Sequence, residues 1–150
     1  MIVIAGEDCT KSNNSLSVVS CFNLARNIWS NKLRSLNQAR GNPSACSIQG
    51  HVFVFGGWNG GRAINTIEKI SQVDLKPDSA IPWQLINVPP NVFPARQNPA
   101  VAPLNDTEIV ILGGYLGDNR YLSDVVVFDT TTSQCRQVLS NGPKFNSWSN

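Results

Sequence analysis

The feature that most constrains this chain is an internal repeat. His51-Val52-Phe53-Val54-Phe55-Gly56-Gly57 runs four β-branched or aromatic residues into a glycine pair. That is the pattern of a short strand buried on both faces and ended by a sharp turn. Glycine suits such an exit because it accepts positive φ and close backbone approach. Glu108-Ile109-Val110-Ile111-Leu112-Gly113-Gly114 repeats the pattern, and Ile2-Val3-Ile4-Ala5-Gly6 carries it with alanine in place of the first glycine. The closing glycines, Gly6, Gly57 and Gly114, follow one another at nearly equal steps. Trp29 and Trp83 keep a similar step, and so do Arg40-Gly41-Asn42-Pro43 and Arg96-Gln97-Asn98-Pro99. Lys144-Phe145-Asn146-Ser147 reads as a degraded third copy at a slightly shorter step. Several unlike features recurring in one order argue against chance far better than a single glycine doublet.

A period of about 50 residues indicates a solenoid, an array or a propeller. The repeated residues resemble the kelch-repeat family. Its unit is a basic residue, a small-residue strand, an apolar strand ending Gly-Gly, a strand carrying an aromatic, and a Trp-containing strand. The second unit follows this order as Arg40, Pro43–Ile48, Val52–Gly57, Ile64–Leu75 and Trp83–Val88. The third follows it as Arg96, Ala100–Pro103, Ile109–Gly114, Leu122–Asp129 and Cys135–Leu139. The units divide the chain at 1–37 (partial), 38–92, 93–140 and 141–150. Ala5 for Gly, Ile70 for an aromatic and Cys135 for Trp depart from the pattern without moving the period. Ile64, Ile67 and Ile70 recur at every third position, a local helical hint that the repeat overrules.

The resemblance implies an all-β fold of kelch-type propeller blades. Each blade has four antiparallel strands and packs face to face on its neighbours around an axis. Trp29 and Trp83 are then expected to wedge between blades. The chain supplies twelve expected strands, three in the first unit, four in each of the next two and one after them. That amounts to about three blades, whereas closed propellers use about four to eight. An open arc leaves blade faces exposed for association. Three arrangements are compatible: a fragment of a larger propeller, a partial propeller capped by a partner, or two chains paired in a ring. In the last, the strand near Phe145–Trp148 of one chain completes the first blade of the other.

Composition narrows the function. The chain has 150 residues, 41% apolar and 15% charged, with a net charge of +2, as befits a globular protein. The basic residues are scattered, without the patch that nucleic-acid binding requires. No apolar run approaches about 18 residues, so no membrane helix is expected, and Met1–Gly6 is too short for a signal-peptide core. Cys9, Cys21, Cys46 and Cys135 form no CxxC pair, and with His51 as the single histidine a metal site is not expected. Free buried thiols fit a reducing compartment, hence a cytoplasmic location. His51 reads as a polar turn residue. Asp74, Asp124 and Asp129 read as caps at strand ends or turns. Asn13-Asn14-Ser15 and Asn105-Asp106-Thr107 match the glycosylation triplet, which is common by chance.

In kelch proteins, loops on one propeller face bind a peptide or protein. The basic residue opening each unit and the aromatic after Gly-Gly line that face. Carried over by position, these are Arg40, Arg96, Trp58 and Tyr115, with Glu7 at the aromatic position of the first unit and Lys144 at the basic position of the last. Asn59 and Arg62 share the glycine-rich 58–62 loop, and Arg120 lies in the loop expected at 115–121. Exposed Trp, Tyr and Arg are common interface anchors, and Arg grips carboxylates bidentately. Arg40 and Arg96 have an alternative role, hydrogen-bonding carbonyls between blades. Asn42 and Asn98 read as turn-holders. The expected function is a non-enzymatic interaction module with a protein or peptide partner and no cofactor. The alternative is a fragment of a propeller enzyme acting on a sugar, epimerase-like. The few His and Tyr disfavour a copper-radical oxidase, and no sialidase box occurs. The repeats begin at the first residue, so no adaptor domain is expected.

Overall fold

A computed structural model describes residues 1–8, 10, 14–30 and 33–138. Among them are eleven strands, one 3-10 turn and no α-helix. Strands β1 (Ile2–Glu7), β2 (Ser15–Asn23) and β3 (Ile28–Ser30) form the first sheet. Strands β4 (Ser44–Ile48), β5 (His51–Phe55), β6 (Thr66–Ser71) and β7 (Gln84–Asn87) form the second. Strands β8 (Ala100–Pro103), β9 (Glu108–Gly117), β10 (Arg120–Asp129) and β11 (Gln134–Val138) form the third. Every pairing is antiparallel between chain neighbours, so each sheet is one blade of a partial propeller. The innermost strands β4 and β8 are tied by a hydrogen bond from Ser44 Oγ to the Pro99 carbonyl.

The two-sided apolar pattern of β5 is explained by what lies on each side. Val52 and Val54 point to the first blade, where they join Val19, Leu33, Leu36, Ile70 and Trp83. Phe53 and Phe55 point to the third, where they join Ile67, Ile86, Phe93, Ile109, Ile111, Val126 and Phe128. Phe128 meets Phe53 and Phe55 edge-on, with ring centroids 5.6 and 5.8 Å apart, a favoured aromatic geometry. Each of these fully buried side chains contributes about 2–3 kcal/mol. The outer blades lack such cover on one side among the described residues. Val3, equivalent to Val54, is 43% exposed, and Leu112, equivalent to Phe55, is 40% exposed.

The repeat extends to backbone dihedrals. The residue pairs closing the three apolar strands have φ of 59° and 121° at Ala5-Gly6, 57° and 112° at Gly56-Gly57, and 54° and 120° at Gly113-Gly114. Ala5 therefore holds a left-handed conformation that disfavours a Cβ. A Cβ on Gly56 would collide with the Arg96 carbonyl oxygen. The turns Gln49-Gly50 and Asp118-Asn119 have positive φ at both positions, as tight hairpins require.

Several sequence expectations are corrected. Strand β6 covers Thr66–Ser71 rather than 64–75, because Gln72–Asp74 turns into a 3-10 segment. Trp83 precedes β7 instead of lying in it, yet it is buried and its indole Nε1 donates to the Arg34 carbonyl at 2.9 Å. Trp29 does not wedge between blades. It is 53% exposed and meets Phe22 of its own sheet at a tilt, with 5.0 Å between ring centroids. Residues 115–121 are not an open loop, since β9 and β10 stay paired to Gly117 and Arg120 and the turn is only Asp118-Asn119. His51 is the first residue of β5, with its Nδ1 3.0 Å from the Gln49 carbonyl oxygen. The twelfth strand and Lys144 lie outside the described residues, as do Cys9 and Asn13.

Candidate docking site

In the second and third units the residues around the glycine pair are organised by one buried arginine each. Arg40 donates from Nε and Nη2 to Glu68 Oε1 at 3.1 and 3.0 Å, from Nη1 to the Gly56 and Thr66 carbonyls at 2.6 and 3.0 Å, and from Nη2 to Thr66 Oγ1 at 3.0 Å. Arg40 and Glu68 are both fully buried. Glu68 also accepts from the Asn37 and Gln38 backbone N–H groups at 2.7 and 3.1 Å, so a buried charge pair closes on satisfied partners. Burial pushes the Arg40 guanidinium down from its ordinary value, and Glu68 opposes that shift. Arg96 repeats the device. It grips Asp124 with two bonds of 2.9 and 2.7 Å, donates to the Gly113 carbonyl at 2.8 Å and lies over the Phe93 ring at 4.7 Å.

Asp124 is thus an arginine partner in mid-strand rather than a turn cap, re-aimed by the register shift between Leu122 and Val125. Asp129 does cap its turn, accepting from Thr131 and Thr132 N–H at 2.8 and 3.0 Å. Of the two acid partners, the sequence reading names Asp124 only as a cap and does not single out Glu68. The signal for them was present, since Glu68 follows Arg40 and Asp124 follows Arg96 at the same spacing.

The arginine backbones link successive blades. Gly6 N–H donates to the Arg40 carbonyl at 2.9 Å, and Gly57 N–H donates to the Arg96 carbonyl at 2.7 Å. Within each blade, the residue after Gly-Gly pairs with the residue after Arg. Trp58 and Gly41 exchange two bonds of 2.7 Å, and Tyr115 and Gln97 exchange two of 2.8 Å. Because each unit is joined to the next at equivalent atoms, equivalent residues are carried to one end of the molecule. Asn42 and Asn98 share a φ of 48° there, and Asn98 N–H donates to the Asn42 carbonyl at 2.9 Å.

The outcome is a groove of about 290 Å³ lined by Glu7, Trp58, Gln97, Tyr115, Gly117 and Asp118. It unites the post-glycine positions of three successive units. Trp58 and Tyr115 are half-buried, and Glu7 and Asp118 are exposed. Asn59 shapes the neighbouring hairpin, its Oδ1 accepting from Gly61 and Arg62 N–H at 3.1 and 2.9 Å. Arg62 and Arg120 are exposed, and Arg120 is 3.6 Å from Asp118. Arg40 and Arg96 do not reach the groove surface. Both side chains are fully buried and their donors are engaged inside the blades. Gln97 and Asp118 escaped the sequence reading, although Gln97 follows Arg96 as Gly41 follows Arg40. A second cleft, of about 440 Å³ beneath residues 33–37, has among the described residues Arg34 as its one charged lining residue and no aromatic wall.

Three of the thiols are described, and all three are free and half-buried. Burial raises Cys46 to about 11, and raises Cys135 to about 12 against the opposing effect of Arg96. No helix among the described residues is long and apolar enough to cross a membrane.

The family model described as the KLHDC2/KLHL20/DRC7 Kelch-repeats domain matches residues 1–149. The chain belongs to the kelch-repeat family. No curated protein matches it significantly. Kelch-repeat domains generally mediate protein–protein interaction and are typically non-enzymatic. In this kelch chain the repeat therefore does two jobs: its buried arginines hold the blades, and its post-glycine residues line the groove.

Proposed function

We propose that the chain is a peptide-docking module and that the groove between Trp58 and Tyr115 is its docking site. One observation carries this reading: equivalent positions of three successive units, Glu7, Trp58 and Tyr115, meet in a single open groove. Half-buried aromatic rings present area at low entropic cost. Asn59 and Arg62, in the hairpin that follows Trp58, and Arg120, paired with the lining Asp118, are assigned the lesser part of setting orientation and approach more than affinity. Arg40 and Arg96 act from beneath by fixing the strand ends that carry the rings. Free half-buried thiols support a reducing, cytoplasmic setting.

The test is selection of binders from a synthetic heptapeptide library, followed by measurement of each against Trp58→Ala and Tyr115→Ala. Losing either ring is expected to weaken selected peptides tenfold or more, which corresponds to about 1.4 kcal/mol. Leu24→Ala, on an exposed turn of the first blade, should leave them unchanged. Peptides indifferent to both ring substitutions would overturn the reading.

A further inference from the structure

The groove's chemistry is not that of an anion site. Arg40 and Arg96 are buried and engaged with Glu68 and Asp124, and of the exposed arginines nearby neither Arg62 nor Arg120 is a lining residue, Arg120 being paired with Asp118. The groove instead offers two carboxylates, Glu7 and Asp118, beside two aromatic rings. Among the described residues Glu7 has one weak partner, Asn42 Nδ2 at 3.5 Å. Its carboxylate rests against Gly41, where any Cβ would collide with it. Asp118 is paired with Arg120 at 3.6 Å, and both side chains are largely exposed, so the pair holds little energy and a ligand cation can replace it.

A second, independent feature points to a ligand. Gln97 lines the groove and is only 9% exposed. Its side chain makes no hydrogen bond among the described residues, while its backbone is held by Tyr115. No fully sealed side-chain nitrogen or oxygen among the described residues lacks a partner, so the Gln97 amide keeps its remaining access through the groove it lines. An amide this near to burial, with no protein partner among the described residues, is left to water or to a ligand in the groove, and its carbonyl oxygen can accept from a donor entering there. Aromatic faces attract organic cations, carboxylates complement them, and the amide oxygen supplies a fixed acceptor.

We propose that the groove receives a basic side chain, the ammonium of lysine or the guanidinium of arginine, from a bound peptide. The cation lies against Trp58 and Tyr115, faces Glu7 and Asp118, and donates to Gln97. The proposal rests on the groove being the docking site and adds the class of its ligand.

The experiment screens N-acetylated heptapeptides in two arms, one with amidated C-termini and one with free carboxylates. Selected peptides are expected to share one Lys or Arg in both arms. Exchanging that residue for norleucine should weaken binding about tenfold, a loss typical of a desolvated cation over an aromatic ring. Glu7→Gln with Asp118→Asn should weaken it comparably, and raising NaCl from about 50 to about 500 mM should weaken it several-fold. Circular dichroism confirms that these surface variants stay folded. Gln97→Leu should weaken Lys and Arg peptides without affecting their norleucine analogues. Peptides that need Trp58 but carry acidic residues or a free C-terminal carboxylate, and that bind the Glu7→Gln/Asp118→Asn variant as well or better, would overturn this inference and leave the docking site standing. Peptides independent of Trp58 and Tyr115 would overturn both.

Discussion

The second and third blades carry the same device in different surroundings. In the second, Arg40 and Glu68 are both sealed from solvent, because the blade is covered on both faces. In the third, Arg96 is buried but Asp124 keeps 21% of its side chain exposed. The apolar residues tell the same story. Phe55 is fully buried, whereas Leu112 at the equivalent position is exposed. A repeat unit thus specifies a direction for each side chain, and the neighbouring blade decides what that direction costs or contributes.

The sharpest way to break this comparison is to remove each arginine. Arg40→Met leaves Glu68 charged and sealed, so a loss of about 3–5 kcal/mol is expected in urea unfolding. Arg96→Met leaves Asp124 able to draw on water, and the loss should be about 1–3 kcal/mol. Equal losses would show that cover by an adjacent blade is irrelevant to these pairs.

A smaller effect tests the glycine pairs. Gly56→Ala places a Cβ against the Arg96 carbonyl at positive φ and should cost about 1–3 kcal/mol. Ala5→Gly relieves the same backbone conformation in the first unit and should stabilise by about 0.5–1 kcal/mol. If Ala5→Gly lowers the melting temperature, the first unit does not share the strain of the others.

The smallest effect concerns two thiols packed on the interface between the second and third blades, Cys46 and Cys135. Their folded pKa values, about 11 and about 12, lie above that of an unfolded thiol, about 8.5. Their contribution to stability is complete below about pH 8.5 and is lost as pH rises through 11 and 12. At pH 8.5 both should react with iodoacetamide more than about tenfold slower in the folded protein than in urea. Mass spectrometry of the labelled peptides gives the rates, and equal rates in the two conditions would show that the blades do not close over these sulfurs.

The path from repeat to site was readable only in part. Glu7, Trp58 and Tyr115 were located by counting from the glycines, and the structure brings all three into one groove. Trp29 and Trp83 occupy matching places in the count yet differ in burial, because only Trp83 has the first blade packed over it. For Arg40 and Arg96 the sequence leaves two roles open, a contact with a partner implied by the kelch resemblance and a bond to carbonyls between blades; their buried bonds to the Gly56 and Gly113 carbonyls show the second kind of role. Their burial depends on Glu68 and Asp124, which lie a full strand pair away.

Sequence alone supplied the blade period and the residues that follow each glycine pair, which depend on local spacing and backbone freedom, and its resemblance to kelch repeats implied the all-β class. Tertiary structure alone decided which of those residues meet solvent, that the arginines turn inward, and that the charged groups lining the groove, among the described residues, are carboxylates. Exposure and charge balance at a point are sums over every neighbouring segment, and those neighbours come together only when the blades pack.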